Sequence, residues 1–424
     1  MHIWLINPFD ELPGEGPEQR YACLARHLSA KGHDVLWVSS DWHHRKKTRR
    51  AMEALPESGH VPKGEPEEKN GVRTHGPSRA TGTIRLVPTP MYHANISLRR
   101  LRSHAVWAKR LERELTADVS AGRLGKPDLI LAASPPLEGA RAALQLARRF
   151  EAVSVIDFMD DWPDTWLQAL PKGKVCQALG KFLLAPWLRL ARRNMQLADR
   201  VCAQSHAFAQ RARSLGHRGE VHVCYLGETP LPPAPPLSRN HPFHILYLGA
   251  MGKIYDLETV LRSAQMARDA GRDWQWTFAG TDPGHFWQKR AKSLALEHVT
   301  AFPGYVSGPA LAQVLRSADL GLIPMDPRSG VAVPYKAGNY LAAGLPVLSS
   351  LPGELADLLA GHQAGEGYLH GNPNDLFEKL QRHADDPRHG LRAKQAAKTL
   401  FEDKFNRDII YPQWADWIAS PAQG

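Results

Sequence analysis

The chain has 424 residues, 43% hydrophobic and 23% charged, an ordinary balance for a globular protein and enough length for two or three domains. No run of eighteen apolar residues occurs, which argues against a transmembrane helix. The formal charge of +10 is one-sided: residues 1–228 carry 34 lysines and arginines against 24 acids, whereas residues 229–424 carry 19 of each. Such a field fits an anionic partner for the first half, whether a phosphate-bearing substrate, nucleic acid or an anionic membrane face; a basic surface kept for solubility is the plainer reading.

In chain order, "HIWLIN" (2–7) reads as a core strand rather than the start of a signal peptide, because acids follow it at once. Residues 16–33 have helical apolar spacing ending at Gly32, and "DVLWVSS" (34–40) is the next strand. Parallel neighbours need such a helical crossover. Residues 42–80 are polar with scattered Pro and Gly, and are expected to form a long surface loop. Strands follow near 83–89, 127–135, 152–163, 198–205 and 220–227, with helices near 97–117, 137–149, 178–197 and 206–216 between them. Cys23, Cys176, Cys202 and Cys224 stand singly, which suits a reducing cytoplasm.

"PLPPAPP" places five prolines between Pro230 and Pro236, a stiff stretch that marks a linker at 229–242 between domains 1–228 and 243–400. Alternation then restarts, with strands at 243–250, 274–281, 299–306, 319–325 and 346–350 and helices between them. The last segment, 401–424, is helical, carries Trp414 and Trp417, and is expected to pack back on the first domain. The fold class is therefore α/β, two tandem doubly wound domains. Ligands of such sheets bind at the carboxyl ends of strands, so two facing domains would share a cleft.

Motifs do fall after strands. The loop "NPFDELPGEGPEQR" (7–20) holds Gly14 and Gly16 before a helix, where backbone could approach a ligand and helical N–H groups could meet an anion; a plain turn is the alternative. "YLGAMGKIYDLETVL" (247–261) sets Gly249 and Gly252 around a short loop followed by Lys253, a reasonable diphosphate seat. "AGTDPG" supplies Gly280 and Thr281, and "FPGYVS" supplies Tyr305 and Val306, which could lie against a flat ring. In "GVAVPYKAGNYLAAGLPV", Gly330, Val331 and Ala332 could present amides, with Lys336 and Asn339 three residues apart on one side of a helix. In the first half, Asp157, Asp160, Asp161 and Asp164 cluster after a strand, as for a metal or acid–base site, or as an N-cap with a solvated turn. His43 and His44 are candidates for a substrate hydroxyl, beside the basic run "RKKTRR". The helix around 179–195 mixes Phe182, Leu183, Leu184 and Trp187 with Lys181, Arg189, Arg192 and Arg193, as at a membrane interface or on an amphipathic helix packed on its own sheet. No RNA-binding module is recognisable.

Taken together, "SADLGLIP…VPYKAGNYLAAGLPVLSS", "YLGAMGKIYDLETVL" and "SPPLEGARAALQLARRFEAVSVIDFMDDWPDTW" resemble the retaining GT-B glycosyltransferases, group 1 or family 4 type, that extend bacterial surface polysaccharides. The resemblance covers essentially the whole chain. It implies a metal-independent enzyme without a cofactor, using a UDP- or GDP-sugar donor and a saccharide or lipid-linked acceptor, at the inner face of the cytoplasmic membrane and with no nucleic acid. It implies that Gly249, Gly252, Lys253 and Lys336 hold the diphosphate, with the two lysines catalytic. Gly280, Thr281, Tyr305 and Val306 would line the base, Asn339 and Tyr340 would stand at the ribose, and Gly330, Val331 and Ala332 would meet the sugar. Gly14, Gly16, His43, Asp160 and Asp161 would face the acceptor, with Asp160 closest to the chemistry. Many members carry two glutamates where this chain has Val331 and Asn339. A non-catalytic nucleotide-sugar-binding scaffold and a GT-B epimerase are the alternative readings.

Overall fold

The computed structural model describes residues 1–50, 73–74, 82–168, 170, 173–232 and 241–421. The chain divides into two compact units, residues 1–224 with 411–424, and residues 225–410. Of the proline-rich stretch, 233–240 lie outside the described residues, as do 51–72 and 75–81 of the expected loop at 42–80.

The first unit is built on an eight-stranded sheet. From one edge its order is Glu220–Val223, Arg200–Ala203, Val153–Phe158, Leu129–Ser134, His2–Ile6, Asp34–Ser40, Thr83–Val87 and Arg73–Thr74. All neighbours are parallel except the last pair. The first strand lies inside the sheet, and the chain winds to one side of it and then to the other. Every residue of Leu129–Ser134 is buried, as expected for a strand covered on both faces. The covering helices have the required patterns: in Leu137–Phe150, Ala140, Ala143, Leu144 and Ala147 make a narrow apolar stripe. Ser97 caps the helix Leu98–Ser120 by accepting the Arg100 N–H at 3.2 Å.

Tyr411, Trp414, Ala415 and Ile418, near the C-terminus, are buried in this unit. Arg200 donates to the carbonyls of Trp417, Ile418 and Ser420 and stacks 3.9 Å above the Trp417 ring. Arg20 does the same kind of work on another side. Its guanidinium grips both oxygens of Asp157 at 3.0 and 3.1 Å, donates to the Cys224 carbonyl and lies 3.9 Å over Trp414.

The expectation of a plain loop after residue 41 is corrected. Trp42–His43 pair antiparallel with Thr48–Arg49, and both Trp42 and His43 are buried. Beyond it, Arg73–Thr74 add the outermost strand of the sheet.

The second unit carries a six-stranded, all-parallel sheet in the order Thr300–Gly304, Trp274–Ala279, Phe243–Leu248, Leu320–Ile323, Val347–Ser349 and Gly365–Gly367. Its core joins Ile245, Tyr247, Trp276, Phe278, Leu320 and Leu322 to Leu257, Val260 and Leu261 of the helix Leu257–Asp269. The strand order reverses between Phe243–Leu248 and Leu320–Ile323, and a doubly wound sheet opens its ligand crevice at such a point.

Candidate functional site

In the second unit, Leu248 and Ile323 end the two strands at the switch point, and the loops that follow them are tied together. Asp256 N–H donates to the Pro324 carbonyl at 2.7 Å, and Asp326 N–H to the Ile254 carbonyl at 2.8 Å. Next door, Gly249 N–H donates to Ala279 O, Gly280 N–H to Gly304 O and Met251 N–H to Thr281 O. A side chain at Gly280, where φ is 154°, would put a Cβ 1.8 Å from the Gly249 carbonyl oxygen, so the strand ends meet this closely only with glycine there.

The 8-residue helix Tyr335–Ala342 begins after Pro334 and delivers Lys336 to this place. Lys336 is 8% exposed. Its ammonium lies 3.9 Å over the Tyr255 ring and 4.3 Å over Tyr247, and a Cβ on Gly249 would stand 3.0 Å from it. Two aromatic faces attract the charge but offer no lone pair, and Nζ has no hydrogen-bond partner among the described residues. Burial accordingly pulls its pKa down from the usual lysine range to about 7. Among the described residues, Lys336 is thus a buried ammonium met only by aromatic faces.

The other donor-side candidates are placed as follows. Gly252, Lys253, Thr281 and Gly330 are exposed, Tyr305 is 70% exposed at the end of its strand, and Val331, Ala332 and Val306 are half-buried. Two expectations need correction. Tyr340 is wholly buried, with its hydroxyl accepting the Leu248 N–H and donating to the Leu322 carbonyl, and its ring packs where a Cβ on Gly321 would fall. It joins two strands and has no surface to offer a ribose. Asn339 donates its amide to the Glu228 carboxylate, so it serves the segment leading into the linker, while Lys336 turns to the tyrosines. Glu228, the last residue of the expected first domain, carries no signal of this role; it and Asn339 lie 111 positions apart in the chain, and no local pattern links them.

In the first unit, the glycine loop holds its own acids. Gly16 allows the Glu11 carboxylate to pack where its Cβ would be, 2.2 Å away. Glu11 pairs with Arg45 at 2.8 Å, and Glu15 pairs with Arg50 at 3.2 Å and accepts the Leu12 N–H. One of the first N–H groups of the following helix is already taken, since Asp10 accepts the Tyr21 N–H. The loop with Gly14 and Gly16 thus clamps the basic hairpin after the second strand. His43 is buried beneath it, accepting the Lys46 N–H with Glu15 3.8 Å from its other nitrogen, which removes it as a ligand for a substrate hydroxyl.

The four aspartates do not form one cluster. Asp157 is taken by Arg20, while Asp161 and Asp164 pair with Arg211 at 2.9 and 2.7 Å. Asp161 is therefore a structural partner rather than an acceptor contact. Asp160 stands apart: it accepts the Trp162 indole N–H at 2.8 Å, and burial raises its pKa. Around it, residues from the ends of several strands gather. Arg100 lies 4.5 Å over Trp162, 5.4 Å over Phe9 and 5.8 Å over Tyr92, His104 stacks on Trp162, and His44 bonds the Tyr92 hydroxyl at 2.6 Å. Burial and the nearby Arg100 hold both His44 and His104 near a pKa of about 3, so both are neutral at ordinary pH. The group combines flat apolar faces with neutral hydrogen-bonding tips and one guanidinium, a composition suited to a polyhydroxyl ring. The sequence pointed to Asp160 and His44 but not to Phe9, Tyr92 and Trp162 in loops after strands or to Arg100 and His104 on the helix Leu98–Ser120, which share no local signal.

Comparison with known proteins agrees with this architecture. Residues 15–227 match the family model described as Glycosyl transferase 4-like domain, and residues 242–386 match Glycosyl transferases group 1. The chain belongs to these glycosyltransferases and has the GT-B fold. Similar solved structures include a sucrose-phosphate synthase from Thermosynechococcus elongatus (15% identity, 98% of each chain, TM-score 0.67). The lipopolysaccharide glycosyltransferase WaaG is 12% identical over 99% of this chain and 100% of its own, with a TM-score of 0.63. HepE from Anabaena, crystallised with UDP and glucose, is 14% identical over 99% of this chain and 100% of its own, also with a TM-score of 0.63. No curated protein matches the chain.

Proposed function

We propose that this glycosyltransferase works with retention and without a metal, moving a sugar from a nucleotide-diphosphate donor to a saccharide or lipid-linked saccharide in the synthesis of a cell-surface polysaccharide or glycoconjugate. The observation that carries this reading is the buried Lys336 ammonium, aimed at the Gly249 turn with no hydrogen-bond partner among the described residues. A bound diphosphate supplies that anion, and Lys336 neutralises the charge that grows on it as the sugar bond breaks. Lys253, exposed on the neighbouring turn, adds a second cation. Thr281, Tyr305 and Val306 would line the base, and Gly330, Val331 and Ala332 the sugar. HepE, a neighbour in fold, was crystallised with UDP and glucose, which makes a uridine donor the first to try. Asp160 and the aromatic group around Arg100 would receive the acceptor.

The first unit would meet anionic lipid at the inner face of the cytoplasmic membrane through the helix Lys174–Leu197. Val175, Leu179, Phe182 and Leu183 are exposed on it, and it carries Lys174, Lys181, Arg189, Arg192 and Arg193 with no acid. No described helix is long and apolar enough to cross a membrane. Flotation with anionic but not neutral liposomes is expected; equal flotation with both would remove this element.

A non-catalytic donor-binding scaffold is the second reading, favoured by Val331, whose side chain cannot bond a sugar hydroxyl, and by Asn339, which is engaged with Glu228. Calorimetry with a panel of UDP- and GDP-sugars, followed by transfer to saccharide and lipid-linked acceptors, decides. Binding of a donor that disappears in Lys336→Ala, with transfer by the wild type, supports the enzyme. Binding without turnover on any acceptor supports the scaffold, and conversion of the donor without an acceptor supports an epimerase.

A further inference from the structure

Glu366, His383 and His389 play no part in the sites described above, yet three separate elements bring them to one point. Glu366 lies in the edge strand Gly365–Gly367, His383 near the end of the helix Pro373–Asp385, and His389 in the first turn of the helix Pro387–Leu400. One ligand atom from each lies within 4.8 Å of the other two. His383 is 6% exposed, and neither of its ring nitrogens has a hydrogen-bond partner among the described residues; the buried Nε2 of His389 has none either. The two rings sit 4.6 Å apart between centroids, tilted by 57°, without a hydrogen bond joining them.

A neutral imidazole always presents one donor and one acceptor, and burying both without partners is unfavourable. What suits two neutral imidazoles and a carboxylate is a Lewis acid. His383 Nε2 and Glu366 Oε1 are 3.9 Å apart, too far for a hydrogen bond. Two ligands of one tetrahedral Zn2+ lie about 3.3 Å apart, so a small closing movement would complete the site.

The geometry points to a structural site for a divalent transition cation of the Zn2+ type, held by Glu366, His383 and His389, that pins two C-terminal helices to the edge of the second unit's sheet. The fourth position would go to water. Arg382, bonded to both Glu366 oxygens at 3.0 and 3.1 Å, and Lys379, 3.9 Å from one of them, also face the carboxylate. They compete for its charge but leave the imidazole lone pairs to the metal. The donor set, two nitrogens and one oxygen, favours Zn2+ or Co2+ over Mg2+ or Ca2+.

The test uses the full chain, stripped with a chelator and titrated at neutral pH with Zn2+ alone, with Co2+ in parallel. The wild type is expected to take up one equivalent of Zn2+ that His383→Gln and His389→Gln each bind about tenfold or more weakly. His298→Gln, which changes an exposed histidine elsewhere, is expected to bind like the wild type. Co2+ is expected to give visible ligand-field bands in the wild type that are absent in both site variants. His389 is only half-buried, so His389→Gln keeps the question answerable should His383→Gln fail to fold. Zn2+ is expected to raise the melting temperature of the wild type and not that of His389→Gln. Equal Zn2+ uptake by the wild type and His389→Gln, or a wild type with neither Co2+ bands nor a thermal shift, would overturn the site.

Discussion

Arg20 and Lys336 are both buried cations, and their surroundings are opposites. Arg20 is saturated: two carboxylate oxygens, a carbonyl and an indole face meet its guanidinium. Although burial alone would lower its pKa, the Asp157 charge holds it well above the usual arginine value. Lys336 lies against aromatic faces, no carboxylate among the described residues answers it, and its pKa falls to about 7. A buried cation whose partners come from the fold is part of the fold. One left without them is held ready for something that arrives later.

The contrast is broken most sharply by removing each cation in turn. Arg20→Ala strands Asp157 as an unpaired buried charge and is expected to cost about 3–5 kcal/mol in denaturant unfolding. Lys336→Ala is expected to leave the melting temperature unchanged or higher, while transfer falls by about 10²–10³-fold. A Lys336→Ala protein that melts earlier and still transfers sugar would remove the distinction.

The same pair separates by pH. The folded chain depresses the Lys336 pKa to about 7 from the usual lysine value of 10.5, so between those values the unfolded chain binds more protons. Stability therefore rises with pH through that window. The wild-type melting temperature is expected to climb from pH 7 towards 9 relative to Lys336→Met, and donor affinity to fall over the same range as the ammonium discharges. Parallel pH profiles for the two proteins would refute the assignment.

A smaller effect belongs to the aromatic site of the first unit. Arg100→Ala removes a cation from three ring faces and is expected to raise the acceptor KM by about tenfold, in keeping with cation–π and stacking terms of about 1 kcal/mol each, while donor binding by calorimetry stays constant. The smallest change is expected from Asn339→Glu. It sets a second carboxylate against Glu228, so a loss of about 1 kcal/mol in stability is expected, relieved by Glu228→Gln in a double-mutant cycle.

Much of this was legible in the residues. Apolar runs such as "LILAAS" declare strands covered on both faces, and glycines after Leu248 and Ala279 mark where strand ends crowd together. Lys336 was singled out because a charge at the start of an otherwise apolar helix needs a reason. What stayed hidden was partnership across the chain. Nothing near Asn339 announces Glu228, nothing near "DFMDDWPD" announces that Arg20 and Arg211 will claim three of its four acids, and the spacing of Phe9, Arg100 and Trp162 has meaning only once the sheet is wound. The edge strand Gly365–Gly367 was missed because a Gly-Glu-Gly segment has no strand propensity of its own.

The way Arg200 holds the carbonyls of Trp417, Ile418 and Ser420 bears on how the protein is made. Translation delivers residues 1–224 first, then the whole of 225–410, and only then the segment that buries Trp414 and Ile418 and covers Arg20 and Arg200. The core of the first unit is therefore completed by chain that follows the second unit. A chain truncated before residue 411 would leave Arg200 without the carbonyls of Trp417, Ile418 and Ser420 and Arg20 without the Trp414 face.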